Sequence, residues 1–160
     1  MIACFLSEYI IGIVLPSNTE ELIIKAFRDD SLYAYGVPSH CLYTYTRNIC
    51  RKTVMKLCEI FKIKAKRVPP SYVQVKRLQQ RNANAIICIL QDVLECCEVP
   101  ACKWKSILPE LMFALNCSKH QGSEYSPYEM VYGRSPNPPL NAKYGTVFEI
   151  ICKKLNSKQQ

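Results

Sequence analysis

Between Ser31 and Gln91 the chain carries eleven bases and one acid, Glu59. The bases are Arg47, Arg51, Lys52, Lys56, Lys62, Lys64, Lys66, Arg67, Lys76, Arg77 and Arg81. Over all 160 residues the formal net charge is +8. A field of one sign steers polyanions and releases their counterions, so this placement suits nucleic-acid phosphate; an ordinary solvated basic surface is the alternative. The same span is poor in ligands for hard divalent ions, which need carboxylate oxygens. Ten cysteines stand at 4, 41, 50, 58, 88, 96, 97, 102, 117 and 152. None forms a C-x-x-C, and with His40 and His120 as the two histidines there is no zinc quartet. Most sit in apolar runs, where cysteine acts as a small hydrophobe. They read as reduced thiols of a nuclear or cytoplasmic protein; a disulfide-rich secreted domain is the rival. No Cys–His–carboxylate arrangement for a thiol hydrolase can be read. Asn116-Cys117-Ser118 fits a glycosylation pattern, but it falls in a predicted helix and is set aside.

The elements that would position these groups follow from periodicity. Ile2 to Leu6 and Tyr9 to Leu15 are β-branched and aromatic, with Ser7-Glu8 between them and Pro16 after, and predict an antiparallel strand pair. The run from Met1 to Leu15 lacks a basic start and contains Glu8, so it does not read as a signal peptide. Asn18 or Thr19 can cap a helix with Glu20 and Glu21 in its first turn and Leu22, Ile23, Ala26 and Phe27 on its apolar face. That helix decays near Ser31 to Tyr35 before the Gly36-Val37-Pro38 turn. His40 to Tyr45 predicts a strand, and Arg47 to Phe61 a helix with a stripe of Ile49, Val54, Leu57, Cys58 and Phe61. Lys62 to Val68 alternates Lys62, Lys64 and Lys66 against Ile63 and Ala65, a strand with one basic face. A long helix is expected from about Val73 to Cys97.

From Trp104 the chain reads WKSILPELMFALNCSKHQGSEYSPYEMVYGRSPNPP. Trp104, Ile107, Leu108, Leu111, Met112 and Leu115 recur at helical spacing. Ser126 can N-cap a second helix, Pro127 suits its first position and Gly133 its end. Trp104, Leu108-Pro109, Phe113-Ala114, Asn116, His120, Ser126-Pro127-Tyr128-Glu129, Val131-Tyr132-Gly133-Arg134, Pro136 and Pro139 resemble the end of the integrase core of retroviruses and long-terminal-repeat retrotransposons. Glu124, where many relatives have glycine, departs from the pattern. The likeness extends upstream through FLSEYIIGIVLPSNTEELI, YGVPSH and LCEIFKIKAKRVPPSY. It implies an α/β fold: a ribonuclease-H-like integrase core whose mixed sheet lacks its first strand and is flanked by helices. The core-like domain would span 1–140, with a tail at 141–160.

Integrases join DNA ends through two divalent ions about 3.5–4 Å apart, held by Asp, Asp and Glu. The resemblance places the first Asp on a strand ahead of Ile2, and Cys4 stands at another, non-catalytic Asp position. It places Thr44 at the second Asp and Gln80 at the Glu, with Arg81 retained. An alcohol and an amide hold magnesium poorly, so the expectation is no metal site, no cofactor, no catalytic residue and no integrase activity. What the resemblance leaves is nonspecific DNA binding through Lys62, Lys64, Lys66, Arg67, Lys76, Arg77, Arg81 and Asn84. The alternatives are a dimerisation module using the Trp104 and Thr19 helices, or a decayed fragment. No apolar run reaches about 18 residues, so no membrane span is expected.

Overall fold

The computed structural model describes residues 1–43, 48–69, 84, 86–95, 100–119 and 123–137. In chain order the elements are β1 (Ile2–Ala3), β2 (Ile10–Ile11), α1 (Glu20–Phe27), a π-helical turn (Arg28–Leu32), α2 (Tyr33–Tyr35) and β3 (His40–Tyr43). Then come α3 (Asn48–Ile60), β4 (Lys64–Arg67), α4 (residues 86–95), a 3-10 turn (Ala101–Lys103), α5 (Trp104–Cys117) and α6 (Pro127–Tyr132). The chain divides into two compact units, one of Ile13–Leu78 and one of Met1–Gly12 with Gln79–Gln160.

In the first of these, α1 starts after Thr19, whose carbonyl accepts from the Ile23 N–H at 3.1 Å. The Thr19 hydroxyl makes no cap bond; the acids Glu20 and Glu21 in the first turn favour the positive end of the helix dipole instead. Lys56 of α3 bonds to Glu20, an exposed pair of small energetic weight. Leu57, Cys58 and Ile63 form the buried core, with Ile24 and Phe27 of α1 and Cys41, Val54 and Phe61 packed against it. β3 and β4 pair in parallel, His40 opposite Lys64, Cys41 opposite Ala65, Leu42 opposite Lys66 and Tyr43 opposite Arg67. Parallel neighbours need a crossover connection, and α3 supplies it.

In the second unit β1 and β2 pair antiparallel, Ile2 opposite Ile11 and Ala3 opposite Ile10. The Tyr9 N–H donates to the Ser7 hydroxyl across the turn, and Glu8 takes a positive φ of 58°. Asn116 of α5 reaches β2: its Oδ1 accepts from the Ile10 N–H at 2.8 Å and its Nδ2 donates to the Ile10 carbonyl at 2.9 Å. Gly12 lies so close to α5 that a β-carbon there would stand 2.6 Å from the Met112 sulfur. The helical stripe of α5 is as the spacing predicts: Ile107, Leu108, Leu111, Met112 and Leu115 are buried, and Trp104 is half-buried. Ile89 and Val93, one turn apart on α4, are buried too. α6 carries the expected cap. Its Ser126 Oγ accepts from the Glu129 N–H at 3.2 Å, and Glu129 Oε2 accepts from the Ser126 N–H at 2.8 Å. Gly133 ends it in the left-handed region at φ 65°. The rings of Phe113 and Tyr128 meet edge to face at 5.9 Å, joining α5 to α6.

Three expectations change. The α/β character stands, but among the described residues the strands form two separate pairs rather than one mixed sheet. The first two strands are two residues each, not five and seven. A turn claims Phe5 to Ser7, Gly12 is pressed against Met112, and the Asn116 amide, rather than a strand, takes the backbone of Ile10. The alternation expected across Lys62 to Val68 is absent inside β4, whose four residues are all exposed; burial falls on the flanking Ile63 and Val68. No helix among the described residues is long and apolar enough to cross a membrane.

Candidate nucleic-acid interface

The basic strand is set by the way α3 ends. The Phe61 N–H still donates to the Leu57 carbonyl. The next two amides then fold back: Lys62 N–H to the Glu59 carbonyl at 3.3 Å, and Ile63 N–H to the Cys58 carbonyl at 2.8 Å. This pair of bonds is the Schellman closure of a helix. It brings the apolar Ile63 onto Leu57 and Cys58, the contact such closures make. It also forces the residue between into the left-handed region, and Lys62 stands there at φ 54°. Glycine is the usual occupant of that position; a side chain there costs roughly 1–2 kcal/mol of backbone energy.

From that turn the chain enters β4. The Lys64 N–H donates to the Ser39 carbonyl at 3.2 Å, and the Val68 N–H to the Tyr43 carbonyl at 3.0 Å, which fixes the strand against β3. Residues opposite one another share a face, and faces alternate along a strand. His40, Leu42, Lys64 and Lys66 therefore share one face. Cys41, Tyr43, Ala65 and Arg67 share the other, which is the face Cys41 packs against the core. Lys62, Lys64, Lys66 and His40 are exposed. Arg67 is exposed as well but lies on the opposite face from the lysines. His40 Nδ1 is 3.1 Å from the Ser39 hydroxyl.

Of the residues expected to bind nucleic acid, the structure brings together Lys62, Lys64 and Lys66, with Arg67 next along the strand. Asn84 is exposed and belongs to the other unit. Lys76, Arg77 and Arg81, and the positions Thr44 and Gln80, lie outside the described residues, as does the tail at 141–160. Sequence reasoning missed His40, whose place beside Lys64 depends on a strand register that periodicity does not reveal. It also missed the turn at Lys62, although an apolar pair five apart, Cys58 and Ile63, brackets the end of the stripe and is a signal for it.

The thiols separate into two kinds. Burial pushes the Cys41 thiol up to about 12, with Cys58 beside it acting the same way. Burial also raises Cys58, against the opposing hydrogen bond with Cys41. Both stay protonated and unreactive, since the thiolate is the nucleophile. At Cys4 burial pushes upward too, but hydrogen bonds from the Ser7 hydroxyl and from the Ser7 and Leu6 backbone outweigh it, and the thiol falls below its ordinary range. Among the described residues no three His, Cys, Asp or Glu side chains cluster closely enough to hold a metal ion.

No family model matches the chain. Over 136 residues, 85% of its length, it is 20% identical to the Retrovirus-related Pol polyprotein from transposon 412 of Drosophila melanogaster. The chain spans 11% of that polyprotein. This similarity supports a retroelement Pol origin for the chain.

Proposed function

We propose that the chain is a degenerate integrase-core-like domain derived from a retroelement, which does not join DNA and retains sequence-independent affinity for nucleic acid. The observation that carries the binding is β4: four consecutive exposed residues, three of them basic, beginning two residues after the exposed Lys62. Phosphate contacts from such side chains position a nucleic acid without reading its bases. The loss of catalysis rests on donor chemistry. The resemblance puts the Thr44 hydroxyl and the Gln80 amide where carboxylates would hold a divalent pair; uncharged oxygens hold magnesium poorly beside carboxylates, and no step is derived through such ions. The thiols suit a reducing compartment, nuclear or cytoplasmic.

Two measurements test this reading. Labelled duplex titrated with the protein at two salt concentrations should bind at the lower and weaken at the higher, and the K64E/K66E double variant should bind far less. Equal binding by that variant defeats the basic-strand reading. Donor DNA incubated with the protein and magnesium or manganese should give no joined or nicked product above a heat-killed control; product would defeat the inactive reading. A dimerisation module using α5 and α1 is the alternative reading, and light scattering, which separates a dimer from a monomer, tests it.

A further inference from the structure

We infer that Lys62 is a phosphate-binding residue in its own right, standing at a backbone position that favours glycine and placing its charge just ahead of Lys64 and Lys66. The inference deepens the proposed binding function and rests on it. Two independent observations meet at this residue. Its backbone is left-handed, at φ 54°, held there by the two amide bonds that close α3. Strain of this kind persists where the surroundings over-determine it and gathers at functional sites. Its side chain is exposed and leads directly into the strand whose outward face carries Lys64 and Lys66. Alternate residues of a parallel strand rise about 6.6 Å, and flexible lysine stems can carry their charges onto neighbouring phosphates of one backbone. His40, opposite Lys64 on that face, widens the platform by one strand. Ala65 and Arg67 fall on the other face of β4, and Lys62 stands in the turn two residues ahead of Lys64; the ligand is one phosphodiester backbone that the three lysine stems reach. A structural role for the residue at this turn would be served as well or better by glycine or asparagine, both of which accept the left-handed region.

The full chain with K62G, K62N and K62R tests this, with K64E/K66E alongside and a labelled duplex of arbitrary sequence titrated over a range of salt. K62G should raise Tm, since it relieves the backbone. Both K62G and K62N should bind several-fold more weakly at low salt. The slope of log affinity against log salt should flatten by about 0.7–0.9, one phosphate's worth of released counterion. K62R should keep the wild-type affinity and slope. If K62G and K62N bind with wild-type affinity and slope while K64E/K66E does not bind, the inference about Lys62 fails and the basic-strand reading stands. If K64E/K66E binds like wild type, both fail together.

Discussion

Asn116 is the most exacting residue described above. It is buried, and its one side chain satisfies both the N–H and the C=O of Ile10. N116A leaves two buried backbone groups without their partner and should cost about 2–3 kcal/mol. Denaturant unfolding would read this as a lower midpoint with an unchanged slope; a loss within experimental error would show that the amide is not structural. The sequence presents this residue only as part of a glycosylation pattern, and its burial now gives the physical reason no glycan fits there. Its partner is 106 positions away, which no local pattern can reveal. The thiols are a second case. Timed alkylation of the folded protein at neutral pH should label Cys4 well before Cys41 or Cys58, with mass spectrometry of the digest as the readout. Early labelling of Cys58 would contradict the protonated, core-bound pair.

The helices were the legible elements. In α6 every signal points the same way, a serine cap, a proline at the first position and a glycine at the end, and in α5 the apolar stripe prevails although Pro109 lies inside the helix. S126A should therefore cost about 1 kcal/mol and be measurable as a fall in Tm. Glu129 adds a pH dependence. The Ser126 backbone N–H, then the Ser126 and Ser135 hydroxyls, stabilise its carboxylate and hold it below the usual range. A carboxyl lowered in the folded state stabilises the fold at pH above the ordinary carboxylate range. That contribution disappears as pH falls through the lower folded value. E129Q should accordingly flatten the acid limb of a Tm–pH curve and leave unchanged any part of it due to other groups; an identical acid limb would refute the role. The strands were less legible because their extent is decided by tertiary partners. β1 and β2 stop where a turn and α5 intervene. β4 shows no alternation because neither of its faces is covered: its four residues are all exposed, and burial falls on Ile63 and Val68 at its ends.

On the scale of the whole molecule, burial is uneven. α5 has seven buried residues, whereas β4 has none. Exposed backbone hydrogen bonds with little apolar cover open most readily. Hydrogen exchange should therefore protect peptides from Trp104–Cys117 far longer than those from Lys64–Arg67, and the reverse order would contradict the arrangement. The net charge of +8 was fully readable beforehand, as was its concentration between Ser31 and Gln91, and it carries the functional reading further than any one motif. What remained hidden was the order in which the strands meet, since two parallel strands joined through a helix leave no local trace of register. The amide clamp on Ile10 has an effect beyond stability. Ile10 and Asn116 are both buried, so the clamp fixes the strand pair at the start of the chain onto a helix 106 positions away, and without it that pair should exchange its amide hydrogens sooner than α5 does.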